Sequence, residues 1–388
     1  MSQAQWEKKR LEEVATLQRG KDLPQDQRQP GKVPVIGSNG ITGYHSEFAV
    51  RGPGVLVGRS GSVGKVTWTD SDYWPLNTSL YVKDFHGNDE RFVFYWLSYL
   101  DLGKYTAGVS VPTLNRNLVH PLEVTLPPLP EQRAIARALR AVQAAREARR
   151  QELQLERERK AALMQHLFTH GTRGEARRQT EIGEIPESWQ LVRLGHICNV
   201  KYGLGQPPSL DVEGVPMVRA TDIKTGRIIS DTVIRVKREA IPEKKNAFLK
   251  SGDIIVVRSG AYTGDVAMYD GRWETAVAGY DLVVSPSGSG VDSSFVSTYL
   301  LGETAQRYFR SQRDRSAQPH LNADQLRNTP ILLPPIDEQR AISKLGRVCD
   351  FKMAILETES ESLDELFRAM LEELMTGRLP AQPLIEAA

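Results

Sequence analysis

The stretch of this sequence closest to a phosphate-binding loop is Gly58-Arg-Ser-Gly-Ser-Val-Gly-Lys65. A P-loop needs four residues between its glycines, then Lys and a Ser or Thr whose hydroxyl binds Mg²⁺. Here five residues separate Gly58 from Gly64, and Val66 follows the lysine. In the related stretch Arg258–Asp265, aspartate replaces the lysine. These departures predict no nucleotide site.

Other catalytic patterns are missing from the sequence as well. No Gly-x-Gly-x-x-Gly follows a predicted strand, and the Asn-Pro-Pro-Phe/Tyr motif typical of adenine methylases is absent. His166 and His170 lie four residues apart, without the glutamate that zinc proteases carry between them. We therefore expect a chain that is not an enzyme, has no catalytic residues and binds no metal or cofactor itself.

Length and composition point to an ordinary globular protein. The 388 residues predict two or three domains, and 40% hydrophobic with 25% charged residues is usual for such domains. The two cysteines, Cys198 and Cys349, suit a reducing compartment. No apolar run approaches the ~20 residues of a membrane span. We expect a soluble, cytoplasmic protein that does not bind membranes.

The chain is internally duplicated. Leu126-Pro-Pro-Leu-Pro-Glu-Gln-Arg-Ala-Ile135 reappears 207 residues later as Leu333-Pro-Pro-Ile-Asp-Glu-Gln-Arg-Ala-Ile342. Pro112-Thr-Leu-Asn115 and Pro319-His-Leu-Asn322 keep that offset, whereas matches further upstream have offsets of 183 and 199. Each half thus combines a region of variable length with a region of fixed length, which predicts a geometric role for the fixed part.

The fixed-length regions are predicted to be long helices. Residues 131–170 contain no Pro or Gly and are rich in helix-forming residues. They carry a net charge of +4, and residues 338–376 carry −4, which favours pairing of the two helices. In the alternative, each helix packs only on its own domain. The predicted apolar seam of the second helix, with two polar interruptions, consists of Ile342, Leu345, Cys349, Lys352, Leu356, Glu359, Leu363, Leu366 and Met370.

The variable regions are predicted to be mixed α/β, because short Val- and Ile-rich runs alternate with Gly, Pro and Asp turns. Strands are expected at Gly54–Val57, Asp253–Val257, Leu282–Val284 and Ile331–Leu333, and helices at Arg91–Leu100 and Ser294–Phe309. The predicted organisation is a first α/β domain at 1–130, a helix at 131–170, a linker at 171–185, a second α/β domain at 186–337, a helix at 338–376 and a tail at 377–388.

Two polar loops recur in both variable regions. One carries Arg-Ser-Gly between two strands, and the other precedes each Pro-Pro pair, with Leu114 and Leu321 expected to anchor it in the core. Arg can form a bidentate bond to guanine, and Ser and Thr can contact phosphates or bases. The alternative is a pair of ordinary structural hairpins. The DNA-binding candidates are Arg59, Ser60, Ser62, Lys65, Ser110, Thr113, Asn115, Arg116, Lys201, Tyr202, Arg219, Thr221, Arg258, Ser259, Tyr262, Thr263, Arg313, Arg315, Gln318, His320 and Asn322.

This arrangement resembles the specificity subunits of type I restriction-modification enzymes. The features that carry the resemblance are a variable region, a Leu-Pro-Pro-x-x-Glu-Gln motif and a long helix, all repeated once over essentially the whole chain. Pro130 departs from the family, which more usually has an acidic residue there, as Asp337 is in the second copy.

The resemblance implies two target recognition domains, each reading one half of a split sequence in double-stranded DNA. It implies that the helices form an antiparallel coiled coil that sets the spacer and docks two methylase subunits. Two restriction subunits, which are motor-nucleases, join in some systems. S-adenosylmethionine would then belong to the methylases, and ATP and Mg²⁺ to the motor subunits.

Two other functions remain as alternatives. A self-contained DNA-modifying enzyme would show methyl transfer or cleavage by the purified chain. A coiled-coil scaffold for a protein-only assembly would leave the full complex without any sequence preference.

Overall fold

The structure is a computed structural model, and it describes residues 6–107, 112–205, 208–242, 247–313 and 320–386. The chain forms two compact units. The first unit consists of Met1–Gln151 and Glu357–Ala388, and the second consists of Glu152–Leu356. Each of the two long helices therefore contributes one end to each unit.

The first unit is a mixed α/β fold. Its helices are α1 (Leu11–Val14), α2 (Glu90–Leu100), α3 (Arg116–Val119) and the beginning of the long helix α4 (Leu129–His170). Its strands are β1 (Glu7–Arg10), β2 (Thr16–Arg19), β3 (Val33–Gly37), β4 (Gly40–His45), β5 (Gly54–Gly58), β6 (Val66–Thr69), β7 (Trp74–Pro75), β8 (Ser79–Asp84), β9 (Thr106–Ala107), β10 (Thr113–Leu114) and β11 (Glu123–Leu126).

The second unit is also a mixed α/β fold. Its strands are β12 (Arg177–Thr180), β13 (Gly183–Pro186), β14 (Gln190–Arg193), β15 (Cys198–Tyr202), β16 (Leu210–Val218), β17 (Ile223–Lys224), β18 (Arg227–Ile228), β19 (Ile234–Val236), β20 (Ile254–Val256), β21 (Val266–Met268), β22 (Val277–Ala278), β23 (Leu282–Pro286) and β24 (Pro330–Leu333). Its helices are α5 (Leu194–Ile197), α6 (Ser293–Leu301), α7 (Glu303–Arg313), α8 (Ala323–Arg327) and the beginning of the long helix α9 (Ile336–Met375). The short helix α10 (Gln382–Glu386) belongs to the first unit.

Among the described residues, the main sheets have the same topology in both units, whereas the two-stranded pair β9-β10 occurs only in the first and the hairpins β12-β13 and β17-β18 only in the second. A four-stranded antiparallel sheet has the order β2-β8-β5-β6 in the first unit and β15-β23-β20-β21 in the second. A three-stranded sheet, β4-β3-β7 or β19-β16-β22, combines one antiparallel and one parallel pair. The first strand of each domain pairs with its last, as β1-β11 and β14-β24. The duplication in the sequence is therefore a duplication of the fold.

The predicted strands are all found, because each is an apolar run covered by other elements. Strand β5 is buried at every position, and its core face packs with Phe92 and Trp96 of α2. Strand β20 is buried in the same way, with Phe295 and Tyr299 of α6 in its cluster. A single helix predicted at Ser294–Phe309 is wrong, because α6 ends before Gly302, whose backbone is extended, and α7 begins after it.

A buried glutamine fixes each long helix at its first turn. Gln132 donates to the carbonyl of Pro127 and to the side chain of Asn88, each at 2.9 Å. Its side-chain oxygen accepts from the amide of Asp89 at 3.0 Å, and Asp89 itself caps α2 by accepting from the amide of Phe92. The glutamine thus ties the start of α4 to the start of α2.

The second unit repeats this joint, with a backbone carbonyl in place of the Asn88 side chain. Gln339 donates to the carbonyls of Pro334 (2.8 Å) and Gly290 (3.0 Å). It accepts from the amide of Asp292 at 2.9 Å, and Asp292 caps α6 through the amide of Phe295. The Pro-Pro-x-x-Glu-Gln motif is therefore a structural joint between a domain and its helix.

The glutamate of the motif holds a tryptophan. Trp6 donates its indole N–H to Glu131, and Trp189 donates to Glu338, each at 3.1 Å. Glu338 is buried and also accepts from the amide (2.6 Å) and the hydroxyl (3.0 Å) of Thr172, which follows the end of α4. In the second unit this carboxylate joins the domain, the start of one helix and the end of the other.

The long helices pair in both units. In the first unit, Arg146 and Arg150 bond the carboxylate of Asp364 at 2.5 and 2.9 Å, and Arg149 pairs with Glu359 at 2.8 Å. Solvent-accessible ion pairs of this kind, which are partly exposed here, add little stability each, but they show that the basic helix lies against the acidic one.

In the second unit, Lys160 pairs with Asp350 at 2.5 Å, and Lys352 pairs with Glu156 at 3.2 Å and with Glu152 at 3.4 Å. Residue numbers rise along one helix as they fall along the other, so the helices are antiparallel. Lys352 and Glu359, the two polar interruptions of the predicted seam, thus have partners on α4, because Lys352 meets Glu156 and Glu359 meets Arg149.

Two positions of the predicted seam are wrong. Leu345 is 41% and Leu366 is 46% exposed, whereas Gly346 is buried and Phe367 packs in the core cluster of the first unit. The ends of α9 pack against domain cores as well as against α4, and this widens the buried face beyond a simple heptad seam. The long helices therefore both pair with each other and pack on the domains, although the sequence left these as alternatives.

Residues 171–185, which the sequence suggests as a linker, contain β12 and most of β13. These two strands pair as an antiparallel hairpin in the order Arg177↔Pro186 to Thr180↔Gly183. Ile185 of this hairpin is buried in the core of the second unit.

The joint gives a testable prediction. Gln339→Ala leaves the carbonyls of Pro334 and Gly290 and the amide of Asp292 without their partner inside the protein. We expect a loss of about 2–4 kcal/mol in the free energy of unfolding of the second unit, since each orphaned buried group costs about 1–3 kcal/mol. Urea titration followed by circular dichroism measures it. Gln151→Ala, at an exposed position of α4, is the control and should stay within about 0.5 kcal/mol. Equal stability of the two variants would contradict the proposed joint.

Candidate nucleic-acid interface

The two polar loops of each domain lie side by side. In the first unit the amide of Leu114 donates to the carbonyl of Arg59 at 2.8 Å, and in the second the amide of Leu321 donates to Arg258 at 2.8 Å. Next to these bonds, Ser60 pairs with Thr113 and Ser259 pairs with His320 in isolated bridges. Leu114 and Leu321 are fully buried, as expected of anchors. Both loops therefore present their side chains from one platform, which occurs once per unit.

Glycines in the left-handed region shape the Arg-Ser-Gly loops. Gly61 and Gly64 have φ of +81° and +80°, and Gly260 and Gly264 have φ of +84° and +99°. The amide of the second glycine of each pair donates back to the carbonyl of Gly58, the last residue of β5, or of Val257, which follows β20. A Cβ on Gly64 would lie 2.5 Å from the backbone nitrogen of Gly103, so this loop is packed directly on the backbone.

The platform of the first unit borders a cavity of about 760 Å³. Four cationic side chains line it, and no carboxylate among the described residues does so. Arg59 and Arg116 come from the two loops, and Arg19 and Lys83 come from the ends of β2 and β8. Such a concave cluster of one sign of charge attracts a polyanion and suits phosphate contacts.

The platform of the second unit is built around a stacked arginine. The Arg258 guanidinium lies 5.0 Å from the ring centre of Tyr202 and 4.1 Å from that of Tyr280, and it donates to the Tyr280 hydroxyl at 3.0 Å. Its Nε is buried and has no acceptor among the described residues. The two rings restrict the rotamers of Arg258, so its donors are oriented before any ligand binds.

A buried carboxylate supports this arginine from below. The amide of Arg258 donates to Asp281 at 3.2 Å. Burial raises the pKa of Asp281, although the amide and the positive charge of Arg258 act in the opposite direction. The carboxylate therefore serves the loop backbone and not the solvent-facing surface.

Several candidates are already held by bonds within the protein. Asn115 and Asn322 cap helices α3 and α8, so their side-chain oxygens accept from the backbone. Lys65 donates to Asn39 at 2.9 Å, and Lys201 donates to the carbonyl of Phe248 at 3.3 Å. These bonds stabilise loops, and the two caps leave only the amide nitrogens of the asparagines for DNA.

Arg219 and Thr263 also have structural roles. Arg219 forms an ion pair of 3.1 Å with Asp222, which is fully buried, and donates to the carbonyl of Thr232. Thr263 donates its hydroxyl to Gly260 inside the turn.

The remaining candidates are placed as follows. Tyr262 is 51% exposed at the loop tip, and Ser62 lies half-buried within its loop. Thr221 lies beside Asp222, and Arg313 is the last residue of α7. Ser110, Arg315 and Gln318 lie outside the described residues.

Sequence reasoning missed Arg19, Lys83 and Tyr280. The repeat contains a signal for Arg19, because it precedes Gly20 as Tyr202 precedes Gly203, at the offset of 183. A Cβ on either glycine would approach backbone oxygens to about 2 Å, so both are required to be glycine. Lys83 and Tyr280 carry no sequence signal, since only the sheet topology brings them to the loops.

The described part of the chain contains no group of three or more His, Cys, Asp or Glu side chains able to hold a metal ion. None of its helices is long and apolar enough to cross a membrane.

Residues 3–157 and 186–364 match the family described as the type I restriction modification DNA specificity domain. The two matched segments correspond to the two halves of the duplication.

Proteins similar in sequence carry the same description. The MjaVIII specificity subunit of Methanocaldococcus jannaschii is 25% identical over 309 residues, which cover 76% of this chain and 72% of that protein. The EcoBI specificity subunit of Escherichia coli is 24% identical over 316 residues, covering 76% of this chain and 66% of that protein.

Solved structures share the fold. The S subunit of a type I restriction-modification system from M. genitalium superimposes with a TM-score of 0.69 at 18% identity, covering 95% of this chain and 96% of that one. A chain from a structure concerned with complex assembly and conformational transition of the type I system has a TM-score of 0.56 at 17% identity, covering 98% of this chain and 100% of that one.

Packing of the first loop can be tested with a matched pair of glycine variants. Gly64→Ala introduces a side chain at φ +80° and against the backbone of Gly103, whereas Gly87→Ala introduces one at φ +78° with nothing within 4 Å. We expect Gly87→Ala to cost only about 1–2 kcal/mol of stability for the left-handed backbone. Gly64→Ala should cost more and also weaken DNA binding, as measured by thermal unfolding and by fluorescence anisotropy. The same outcome for both variants would contradict the packed-loop description.

Proposed function

Because this chain belongs to the type I restriction-modification DNA specificity family, we propose that each of its two units reads one half of a split target in double-stranded DNA. Recognition of DNA sequence is the function of the family. The observation that carries the proposal is the platform of two hydrogen-bonded loops, which occurs once in each unit with different side chains. A duplicated reader of this kind calls for two half-sites, as a repressor dimer does.

The two half-sites should differ, because the platforms differ in chemistry. The first platform places Arg59 in a cluster of four cations, which suits the phosphate backbone. The second holds Arg258 between two tyrosine rings with its donors oriented, which suits the edge of a guanine. We assign mainly backbone contact to Arg59 and base reading to Arg258.

Specificity subunits of type I systems work together with methylase and restriction subunits and with DNA. Two methylase subunits would bind this chain, and two restriction subunits would join where the system contains them. A net charge of +2 neutralises few phosphates, so the chain alone should bind DNA weakly. The methylases should therefore provide most of the contacts that hold the DNA in the complex. S-adenosylmethionine would be held by the methylases and ATP with Mg²⁺ by the restriction subunits, leaving recognition and not catalysis to this chain.

The paired helices would act as the ruler of the complex. Their lengths, Leu129–His170 and Ile336–Met375, are nearly equal, and each begins at the same glutamine joint. A helix pair with both ends fixed to domains has a defined length, and this length would set the unspecified spacer between the half-sites.

Single arginine variants test the reading roles. Arg258→Ala should cost about 1–3 kcal/mol in binding and relax base preference in one half-site only. Arg59→Ala should weaken binding about equally for all sequences in its half-site and reduce the salt slope by about one unit. Affinity of the complex with methylase is measured on targets mutated in each half, at two salt concentrations.

Matched controls lie at the opposite end of the same strands. Arg51 precedes β5 and Lys250 precedes β20, whereas Arg59 and Arg258 follow those strands, and both control residues are exposed. Arg51→Ala and Lys250→Ala should leave affinity and base preference unchanged. If Arg59→Ala and Arg258→Ala behave like the controls, the loops are structural hairpins and the reading role lies elsewhere. A turnover that copurifies with the chain and is lost on mutating it would instead favour a DNA-modifying enzyme.

The ruler is tested by lengthening both helices together. Seven residues inserted between Gln151 and Glu152, and seven between Leu356 and Glu357, add two turns and about 10 Å while preserving the pairing register. The preferred spacer should grow by about three base pairs, at ~3.4 Å each. Sequencing of methylated sites gives the spacer. Insertion in one helix alone is the control and should abolish binding, and an unchanged spacer in the double insertion would disprove the ruler.

A further inference from the structure

A solvent-exposed face begins on the second turn of helix α9. Its first part is cationic and consists of Arg340, Lys344 and Arg347, all exposed. The face continues with Phe351, which is 70% exposed, and Ile355, which is 43% exposed. Steps of four, three, four and four residues keep these five side chains on one side of the helix. Val348, 57% exposed, extends the apolar part toward the neighbouring row.

The duplication provides an internal comparison for this face. The residues 207 positions earlier on α4 are Arg133, Arg137 and Arg140, again three exposed cations. The apolar positions, however, all carry alanine. Val348, Phe351 and Ile355 correspond to Ala141, Ala144 and Ala148, which are also exposed. The charged part of the face is thus cationic in both copies, whereas the side chains of the apolar part are large on α9 and small on α4.

The chemistry of the face defines its partner. None of the six cations forms an ion pair with a described residue, so each row can accept carboxylates from another molecule. DNA would satisfy the cations but would leave Phe351 and Ile355 against phosphates or water. A second copy of this chain would bring like charges together. A protein surface with acidic groups followed by an apolar ridge satisfies both parts.

We propose that the two faces dock the two methylase subunits with unequal affinity, and that the face on α9 is occupied first. This inference rests on the proposed function, which supplies a partner present in two copies. The cationic rows would orient each methylase in the same way on both helices. The large side chains of α9 would bury apolar area that the alanines of α4 do not have.

The expected difference follows from the side chains exchanged. Loss of a well-packed aromatic or aliphatic anchor at an interface commonly costs more than 1 kcal/mol, and a factor of ten in Kd corresponds to about 1.4 kcal/mol. Three anchors on α9 against three alanines on α4 should therefore separate the two dissociation constants by at least about tenfold. At limiting methylase, complexes with one methylase subunit should predominate.

The test uses the full chain and the methylase subunit of the same system. Native mass spectrometry and isothermal titration calorimetry count and rank the two binding steps. The triple variant Val348→Ala, Phe351→Ala, Ile355→Ala should weaken the first step by about tenfold or more and make the two steps alike. The reciprocal variant Ala141→Val, Ala144→Phe, Ala148→Ile should strengthen the second step. Leu366→Ala, at an exposed apolar position outside the face, is the control and should change neither step.

These substitutions lie at exposed positions, so the variants should fold, and thermal unfolding checks this. Two equal steps in the wild-type chain, or a triple alanine variant that binds as the wild type does, would overturn the proposal. The proposal is also overturned if the double variant Arg340→Glu, Arg347→Glu weakens DNA binding of the free chain and leaves methylase binding intact. It is overturned as well if Phe351→Ala abolishes self-association of the chain and leaves methylase binding unchanged. Methylation that retains its sequence preference in any of these outcomes would leave the proposed function standing.

Discussion

Two buried glutamines determine how this molecule is organised. Gln132 and Gln339 each satisfy three backbone or side-chain groups that would otherwise be orphaned at the start of a helix. A buried side-chain amide whose hydrogen bonds are all formed allows only one position of the helix start, because any shift of the helix would leave buried polar groups without partners. The direction in which each long helix leaves its domain is thus fixed by hydrogen bonding. The two polar loops lie in the same domain, so their position relative to the start of that helix is fixed as well.

The two long helices are held together by apolar packing at their ends and by ion pairs in their middle parts. Their ends are apolar and enter the domain cores, as Leu139 and Leu374 do in the first unit and Phe168 and Ile342 in the second. Their middle parts are joined by charges, among them the buried Glu156 with Lys352. This ion pair adds little net stability, because the Lys352 side chain is 44% exposed, but a shifted register would separate Glu156 from Lys352 and leave it only Arg159 of its own helix. The apolar ends supply the stability, and the charged centre favours one register.

The sequence carried enough information to predict the duplicated architecture, the long helices and the two loops, because repeats and periodicity are local properties of the chain. It could not predict which polar residues are available to a ligand. Asn115 and Asn322 are DNA-binding candidates in the sequence, and the structure shows that their side-chain oxygens cap helices. Arg219, another candidate, forms an ion pair with the buried Asp222. Lys83 and Tyr280 lie beside the two polar loops only because the order of strands in the sheet places them there. The exposure of Leu345 likewise depends on the domain beside its helix, which a heptad count on one helix does not include.

The two units differ in continuity along the chain, and this sets an order for biosynthesis. The second unit is one uninterrupted stretch, whereas the core of the first includes Leu374, Met375 and Ala381. During translation the second unit can close its core while the C-terminal part of α9 is still to be made. The first domain, although it emerges from the ribosome earlier, must wait with Ile135 and Leu139 exposed until that segment arrives. Premature termination within the last turns of α9 would therefore destabilise the first unit, at the beginning of the chain. The second unit would keep its whole core, although it lies nearer in sequence to the truncation.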